Sequence, residues 1–145
     1  MKLPEYVTAE EVRKVCKELG IRDWTKLTEP KVPPEEARAI LAAMNVEGMD
    51  IELEDFRQGL EVELEHGLMF EDANVTNNHP ILTGKIVLAH FKESLDYYKR
   101  LEVAEIEGDL LKAAVAKNPA KVEALYRKLV NARLILSQEE SDKLA

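Results

Sequence analysis

Apolar residues recur every three or four positions along most of this chain, the spacing that places them on one face of an α-helix. No window alternates apolar and polar residues for long enough to predict a β-strand. The pattern therefore predicts an all-α fold, a compact bundle or array of about six helices around a long central helix. The predicted helices cover residues 8–19, 34–44, 53–67, 80–107, a segment after Gly108, and 122–136.

Local signals support the ends of these helices. The series Thr8-Ala-Glu-Glu11 is a capping box, and Gly20 fits the left-handed residue that often follows a helix. Pro34 and Pro80 each suit a first helical turn, where the missing N–H would have had no helical partner. Residues 68–79 show no helical period and contain three asparagines, so they are predicted to form a loop.

The predicted helix over residues 80–107 is apolar around most of its circumference, which favours a central position. Its clear polar stripe consists of Lys85, Lys92, Asp96 and Lys99. We expect this stripe to face water and the remaining surface to be covered by the other helices.

Composition and charge exclude several classes of protein. The 145 residues suit a single domain, and the net charge is −8. Residues 51–107 hold thirteen acids and five bases, so we expect no nucleic-acid partner. No apolar run approaches the roughly 20 residues that span a membrane, so we expect no membrane partner. Pro4 and Glu5 are not followed by an apolar segment, so no signal peptide is expected.

The only cysteine is Cys16, on the apolar stripe of the first predicted helix. One cysteine cannot form an intramolecular disulfide, and its position on the stripe predicts a core residue. These features predict a protein of the reducing cytoplasm.

The third predicted helix carries a carboxylate in an unusual position. Its apolar arc consists of Leu53, Phe56, Leu60 and Leu64. Glu61 and Glu65 point away from this arc and are expected to face water. Glu63 projects between Phe56 and Leu60 and needs a partner, while His66 lies at the edge of the arc.

The following helix offers a matching pair of polar residues. His90 falls in its apolar region together with Ile86 and Tyr97, and Glu93 follows three residues later. Two neighbouring helices thus present Glu63-x-x-His66 and His90-x-x-Glu93. An i, i+3 spacing puts both side chains of each pair on the same face of their helix.

Several separate stretches resemble an uncharacterised domain family found in bacteria, archaea and phages. The stretches are Glu18-Leu-Gly-Ile-x-x-Trp24, Asp55-Phe-Arg-Gln-Gly-Leu-Glu-Val-Glu-Leu-Glu-His-Gly67, Asn74-Val-Thr76 with Pro80, and Lys85-Ile-Val-Leu-Ala-His90 with Glu93 and Asp96-Tyr-Tyr98. The resemblance implies a helical domain of unknown function. Together with the chain length, it predicts a single domain over residues 1–145, with a family-like core at 51–107, a helix at 8–24 packed on it, and a C-terminal extension at 108–145 that lies outside the resemblance.

The chain departs from the family pattern in two places. Family members tend to have acidic residues where this chain has Asn78-His79, and proline where it has Leu95. The second departure predicts that a helix that kinks in relatives runs straight here, which would alter the direction of Tyr97 and Tyr98.

Glutamate and histidine are both common metal ligands, so a metal site is one hypothesis for these four residues. Glu-x-x-His is the spacing that ferritin-like di-iron proteins use, but a full site needs more ligands than this chain offers and would require a homo-oligomer. A mononuclear iron or zinc site is the simpler version. The candidate ligands are Glu63, His66, His90 and Glu93, with Tyr97 and Gly67 in support.

Geometry and ordinary helix chemistry offer other interpretations. In a simple antiparallel hairpin, His90 would lie opposite Gly59 and not opposite His66. His66 followed by Gly67 also fits a helix end, where an imidazole interacts with the C-terminal dipole and a glycine stops the helix. For His90, a buried histidine bonded to a carboxylate or a tyrosine is favoured over a metal ligand.

Three classes of function therefore remain open. The sequence favours a small, non-enzymatic binding or accessory module with a buried Glu/His cluster and no evident cofactor. The alternative is an iron or zinc metalloprotein or hydrolase built on the four candidate ligands. A structural role, in which the polar cluster only sets the register of the helices, is the third.

Overall fold

The all-helical prediction is confirmed by the computed structural model, which describes residues 7–145. Pro4 and Glu5, on which the signal-peptide prediction rests, lie outside these residues. The described chain forms six α-helices and no strand. The helices are α1 (Ala9–Leu19), α2 (Pro34–Ala42), α3 (Leu53–Met69), α4 (Pro80–Glu93), α5 (Tyr97–Val115) and α6 (Pro119–Leu144), with short 3₁₀ turns at Trp24–Lys26 and Glu71–Ala73. Within residues 7–145, no helix combines the length and apolar character needed to cross a membrane.

The chain divides into two compact units, one ending at Lys92 and the other beginning at Glu93. The core of the first unit is built by α1 to α4 and the connection between α1 and α2. Its buried apolar residues include Val12, Cys16, Trp24, Val32, Ala37, Ile40, Phe56, Leu60, Leu64, Val87 and Phe91. Cys16 is therefore a core residue as predicted, and burial raises the pKa of its thiol.

Glu36 links the start of α2 to the segment that follows α1. Its carboxylate accepts hydrogen bonds from the Arg22 backbone N–H (3.0 Å), from Arg22 Nε (2.7 Å) and from Trp24 Nε1 (3.0 Å). Burial alone would raise the pKa of Glu36, but the hydrogen bonds from Arg22 and Trp24 outweigh it and lower the pKa. The indole N–H of the fully buried Trp24 thus has the partner that a buried donor needs.

Glu61 links α3 to the chain just before α2. The prediction that Glu61 faces water is wrong: its side chain is only 17% exposed. It accepts hydrogen bonds from the Val32 backbone N–H (3.0 Å) and from Arg57 Nη1 (2.6 Å). Helical period correctly placed it off the apolar arc but could not show that another segment covers it. Glu65, in contrast, is exposed as predicted.

The first turn of α4 is capped by a histidine. His79 Nδ1 accepts from the backbone N–H groups of Ile81 (3.2 Å) and Leu82 (3.3 Å), which have no partner inside the helix. Only an unprotonated Nδ1 can accept these bonds. A carboxylate at this place would accept from the same two donors. Burial lowers the pKa of His79, against a smaller opposing effect of Glu11.

The helix predicted over residues 80–107 is in fact two helices. α4 ends at Glu93, Ser94 to Asp96 form a turn, and α5 begins at Tyr97, so the interruption occurs without a proline at Leu95. Asp96 was predicted to lie on a solvent-facing stripe, but its side chain is only 1% exposed. It accepts hydrogen bonds from Ser94 Oγ, from the Arg100 guanidinium (2.9 Å) and from Lys143 Nζ (2.9 Å).

The second unit is the hairpin of α5 and α6, whose helices pack against each other along their length. Gly108 was expected to end a helix, yet α5 continues through it to Val115. The predicted break at Asn118-Pro119 is confirmed, and Asn118 caps α6 by accepting from the Lys121 N–H (3.0 Å). α6 continues to Leu144, well beyond the predicted end near residue 136.

Replacing His79 by asparagine tests the histidine cap. Because burial lowers its pKa, the folded state binds fewer protons at His79 than the unfolded chain does. The stabilisation that this cap gives is complete above about 6.5, the pKa of histidine in the unfolded chain. It is lost as the pH falls through the lower pKa of the folded state. We therefore expect the wild-type melting temperature to fall between pH 7 and pH 5, by an amount corresponding to about 1 kcal/mol. His79→Asn, whose amide oxygen accepts without titrating, should flatten this fall in calorimetry. An unchanged pH profile would contradict the cap.

Replacing Asp96 by asparagine tests the turn between α4 and α5. Its hydrogen bonds, above all those from Arg100, hold the Asp96 pKa far below its usual range. The stabilisation by the Asp96 carboxylate is present in full above about 3.9, the pKa of aspartate in the unfolded chain, and is lost as the pH falls below that pKa. We expect Asp96→Asn to lower the free energy of unfolding at pH 7 by about 2 kcal/mol. Asp109→Asn, whose half-exposed carboxylate in α5 accepts from Lys112, is the control and should change little when both variants are unfolded in urea.

Candidate functional site

Two of the predicted site residues meet in the first unit. Glu63 on α3 and His90 on α4 approach to 3.5 Å between Oε1 and Nε2, and their side chains are only 14% and 29% exposed. The antiparallel estimate put Gly59 opposite His90, whereas the observed partner Glu63 lies one helical turn further along α3. The sequence predicted that Glu63 needs a partner, and His90 is one such partner.

His66 approaches the other oxygen of the same carboxylate. Its Nδ1 is 4.0 Å from Glu63 Oε2, and its side chain is 52% exposed. The ring stacks on Phe70, with 6.5 Å between ring centroids. His66 does lie in the last turn of α3, as predicted, but this helix ends at Met69 and not at Gly67.

Gly67 is needed because the side chains of the following loop pack closely against it, and not because it ends the helix in a left-handed conformation. It lies inside α3, and a Cβ at this position would collide with Asn78 Oδ1 and come within 3.0 Å of Asn74 Nδ2. The Asn74 amide donates to the Gly67 carbonyl (3.1 Å) and to Asn78 Oδ1 (2.8 Å). The glycine thus lets the loop after α3 pack directly on the backbone of the helix.

Hydrogen bonds from its own side chains hold this loop in place. Asn74 Oδ1 accepts from both the backbone N–H and the hydroxyl of Thr76, each at 3.2 Å. Thr76 Oγ1 in turn accepts from the Asn78 N–H at 3.2 Å. Asn77 and Asn78 adopt positive φ angles of 49° and 57°, a conformation that asparagine tolerates better than most residues. Local side-chain chemistry therefore fixes the path of the loop.

The end of α3, the loop and one residue of α4 enclose a cleft of about 250 Å³. It is lined by Glu63, His66, Gly67, Phe70, Ala73, Asn74, Val75, Thr76 and Ile86. Phe70 and Val75 are large apolar residues that remain 50% and 69% exposed. The cleft thus combines a shielded carboxylate with an imidazole, polar loop side chains and apolar walls. Such a site can accept a small group that carries hydrogen-bond donors or a positive charge.

The remaining candidate residues belong to the second unit. Glu93 is exposed at the end of α4, and Tyr97 begins α5 with its ring edge-on to Tyr98 at 5.2 Å between centroids. Among residues 7–145, no group of three or more His, Cys, Asp or Glu side chains is arranged to hold a metal ion. The hypothesis of an iron or zinc protein built on the four candidate ligands therefore has no support.

Sequence reasoning found the carboxylate and the histidines of this site but missed its loop. Asn74 and Thr76 carried a signal, because Asn74-Val-Thr76 is one of the stretches on which the family resemblance rests. Phe70 and Val75 carried none, since an apolar residue in an aperiodic segment does not reveal which side of the loop it occupies.

Comparison with known proteins gives a family and nothing more specific. No curated protein and no solved structure matches the chain. A family model described as "Protein of unknown function (DUF5661)" matches residues 12–107, which include every residue that lines the cleft. The α6 helix and the end of α5 lie outside the match. The uncharacterised family that the sequence resembles is thereby confirmed, and the chain belongs to the DUF5661 family of proteins of unknown function.

Proposed function

We propose that this protein is a binding module, and not an enzyme, whose cleft accepts an ammonium group. The group would be carried by a small amine or by a lysine side chain of a partner protein. The observation that carries the proposal is Glu63, a carboxylate only 14% exposed that nevertheless lines a cleft. A cation that entered the cleft would reach a negative charge already shielded from bulk water.

The surroundings of Glu63 would strengthen such a contact. His90 lies 3.5 Å from one of its carboxylate oxygens and His66 lies 4.0 Å from the other, so each oxygen already has an imidazole near it. Apolar walls at Phe70 and Val75 would cover the methylene groups of a lysine-like chain. They would also lower the local dielectric constant, which makes an ion pair stronger than it is in water.

The charge of residues 51–107, which form part of the family-matched region, favours a cationic ligand as well. Residues 51–107 carry thirteen acids and five bases, so this part of the chain attracts cations over a distance. The same charge repels phosphate backbones, which supports the proposal that nucleic acid is not the partner. The buried thiol of Cys16 supports a reducing, cytoplasmic setting.

An NMR titration of the full chain tests the proposed site. Two probes, n-butylammonium and Nα-acetyl-lysine methylamide, represent a free amine and a lysine side chain, and 1-butanol is the uncharged control. We expect both cations, but not butanol, to cause saturable shifts of the amide signals of Gly67, Asn74 and Thr76. Tighter binding of the lysine model would identify a protein as the source of the cation, and tighter binding of butylammonium a small amine.

Two matched variants locate the charge that is responsible. Glu63→Gln keeps the shape of the side chain and should weaken binding of the tighter probe at least about tenfold. Glu65→Gln removes an equal charge from the exposed face of the same helix and should leave binding unchanged. Equal losses in both variants, or equal shifts with butylammonium and butanol in the wild type, would refute the proposal. The second comparison needs no variant, so it holds even if Glu63→Gln is unstable.

A further inference from the structure

The polar loop side chains that line the cleft use their hydrogen bonds within the loop. The Asn74 amide donates to the Gly67 carbonyl and to Asn78 Oδ1, which engages both of its N–H groups. The Asn74 side-chain oxygen accepts from the backbone N–H and the hydroxyl of Thr76, which engages both of its lone pairs. The Thr76 hydroxyl also accepts from the Asn78 N–H. These two side chains therefore have little hydrogen-bonding capacity left for a ligand.

Two backbone carbonyl groups of residues that line the cleft are engaged as well. The Phe70 carbonyl accepts from the Ala73 N–H (2.9 Å). The Thr76 carbonyl accepts from the His79 N–H (3.0 Å). Like the loop side chains, these carbonyls serve the structure of the loop itself.

Glu63 and His66 are the other side chains of the cleft that can accept a hydrogen bond from a ligand. A carboxylate has about four acceptor positions, so Glu63 has room for one ligand N–H beside its contact with His90. His66 can accept only while its ring is neutral. A primary ammonium has three N–H groups, and when one points at Glu63 the others point elsewhere in the cleft. Because a donor that leaves water without gaining an acceptor costs free energy, a primary ammonium matches this cleft only in part.

The walls of the cleft offer apolar and aromatic contacts instead. Phe70 and Val75 line it and remain 50% and 69% exposed, so a ligand can reach both side chains. The face of an aromatic ring attracts cations, and aromatic side chains recognise methylated ammonium groups through this attraction. Methyl groups on the nitrogen would replace N–H groups that lack acceptors by groups that suit these walls.

We infer that the cleft prefers an N-methylated ammonium that keeps a single N–H, as in a tertiary amine or a dimethylated lysine side chain. The inference rests on the ammonium site proposed above and defines its ligand more narrowly. The single N–H donates to the Glu63 carboxylate, and the two methyl groups lie against Phe70 and Val75. A trimethylammonium keeps the charge but has no N–H for Glu63, whereas a primary ammonium has more N–H groups than the cleft can match.

An NMR titration of the full chain with three probes of equal charge tests this preference. The probes are n-butylammonium, N,N-dimethylbutylammonium and N,N,N-trimethylbutylammonium, followed at one pH through the amide signals of Gly67, Asn74 and Thr76. We expect the dimethyl probe to bind most tightly. The primary probe should bind at least about tenfold more weakly, because its further N–H groups lose water without a full set of acceptors. The trimethyl probe should bind at least about fivefold more weakly, because it cannot donate to Glu63.

The order of the three affinities separates the explanations. Affinity that rises with every methyl group, up to the trimethyl probe, would show that apolar contact alone decides and would overturn the proposal. A primary probe that binds as tightly as the dimethyl probe would also overturn it, although the ammonium site itself would stand. Failure of all three probes to bind would refute both the site and the preference.

A fourth probe identifies the source of the ligand. Nα-acetyl-Nε,Nε-dimethyl-lysine methylamide represents a dimethylated lysine of a protein, and N,N-dimethylbutylammonium represents a small tertiary amine. Each should bind more tightly than its primary counterpart, and a failure of both to do so would contradict the preference. The tighter of the two dimethyl probes then assigns the ligand to a protein or to a small amine.

Two matched variants test the contribution of Phe70. Phe70→Leu keeps an apolar wall but removes the ring, so the ratio of dimethyl to primary affinity should fall about threefold. Met69→Leu changes the neighbouring exposed side chain, which does not line the cleft, and should leave the ratio unchanged. Because the measured quantity is a ratio within each variant, a general loss of stability does not imitate the effect. An unchanged ratio in Phe70→Leu, or an equal fall in both variants, would count against the proposed contact.

Discussion

Carboxylates withdrawn from water connect the main segments of this fold, because an ionised group needs new donors once its hydration is lost. Glu36 holds the segment after α1 on α2, and Glu61 holds the chain before α2 on α3. Glu63 contacts a histidine of α4, and Asp96 joins the start of α5 to the end of α6. Each of these contacts joins two separate segments of the chain, so the carboxylates add directional contacts to the apolar packing, which has no preferred direction.

Helix starts were predictable from the sequence because their causes are local. A capping box, a proline in the first turn and an Asn-Pro pair each act within four residues, and the helices that they predicted are present. Helix ends were harder to predict because distant residues decide them. Gly108 does not stop α5, and the turn before α5 depends on Asp96, whose partner Lys143 is 47 residues away. No local pattern contains that contact.

For the cleft too, the sequence predicted what local patterns determine and missed what distant contacts determine. Helical period identified Glu63 and His90 as polar residues among the apolar positions of their helices, and the two side chains approach to 3.5 Å. Period states only which face a side chain occupies, so it could not show that the segment before α2 covers Glu61. Nor could it show that Gly67 serves the packing of a loop, because a glycine near a helix end fits a left-handed cap equally well.

The loop that closes the cleft is fixed at both of its ends, and this bears on how the cleft would bind. At its start, Asn74 donates to the carbonyl of Gly67, and at its end His79 caps α4. Between them, Thr76 and Asn78 complete a chain of side-chain hydrogen bonds. A ligand would therefore enter a cleft that already has its shape, and binding would not have to order the loop. The proton that removes the His79 cap would release one of these ends, so the stability of α4 and the shape of the cleft should depend on pH together.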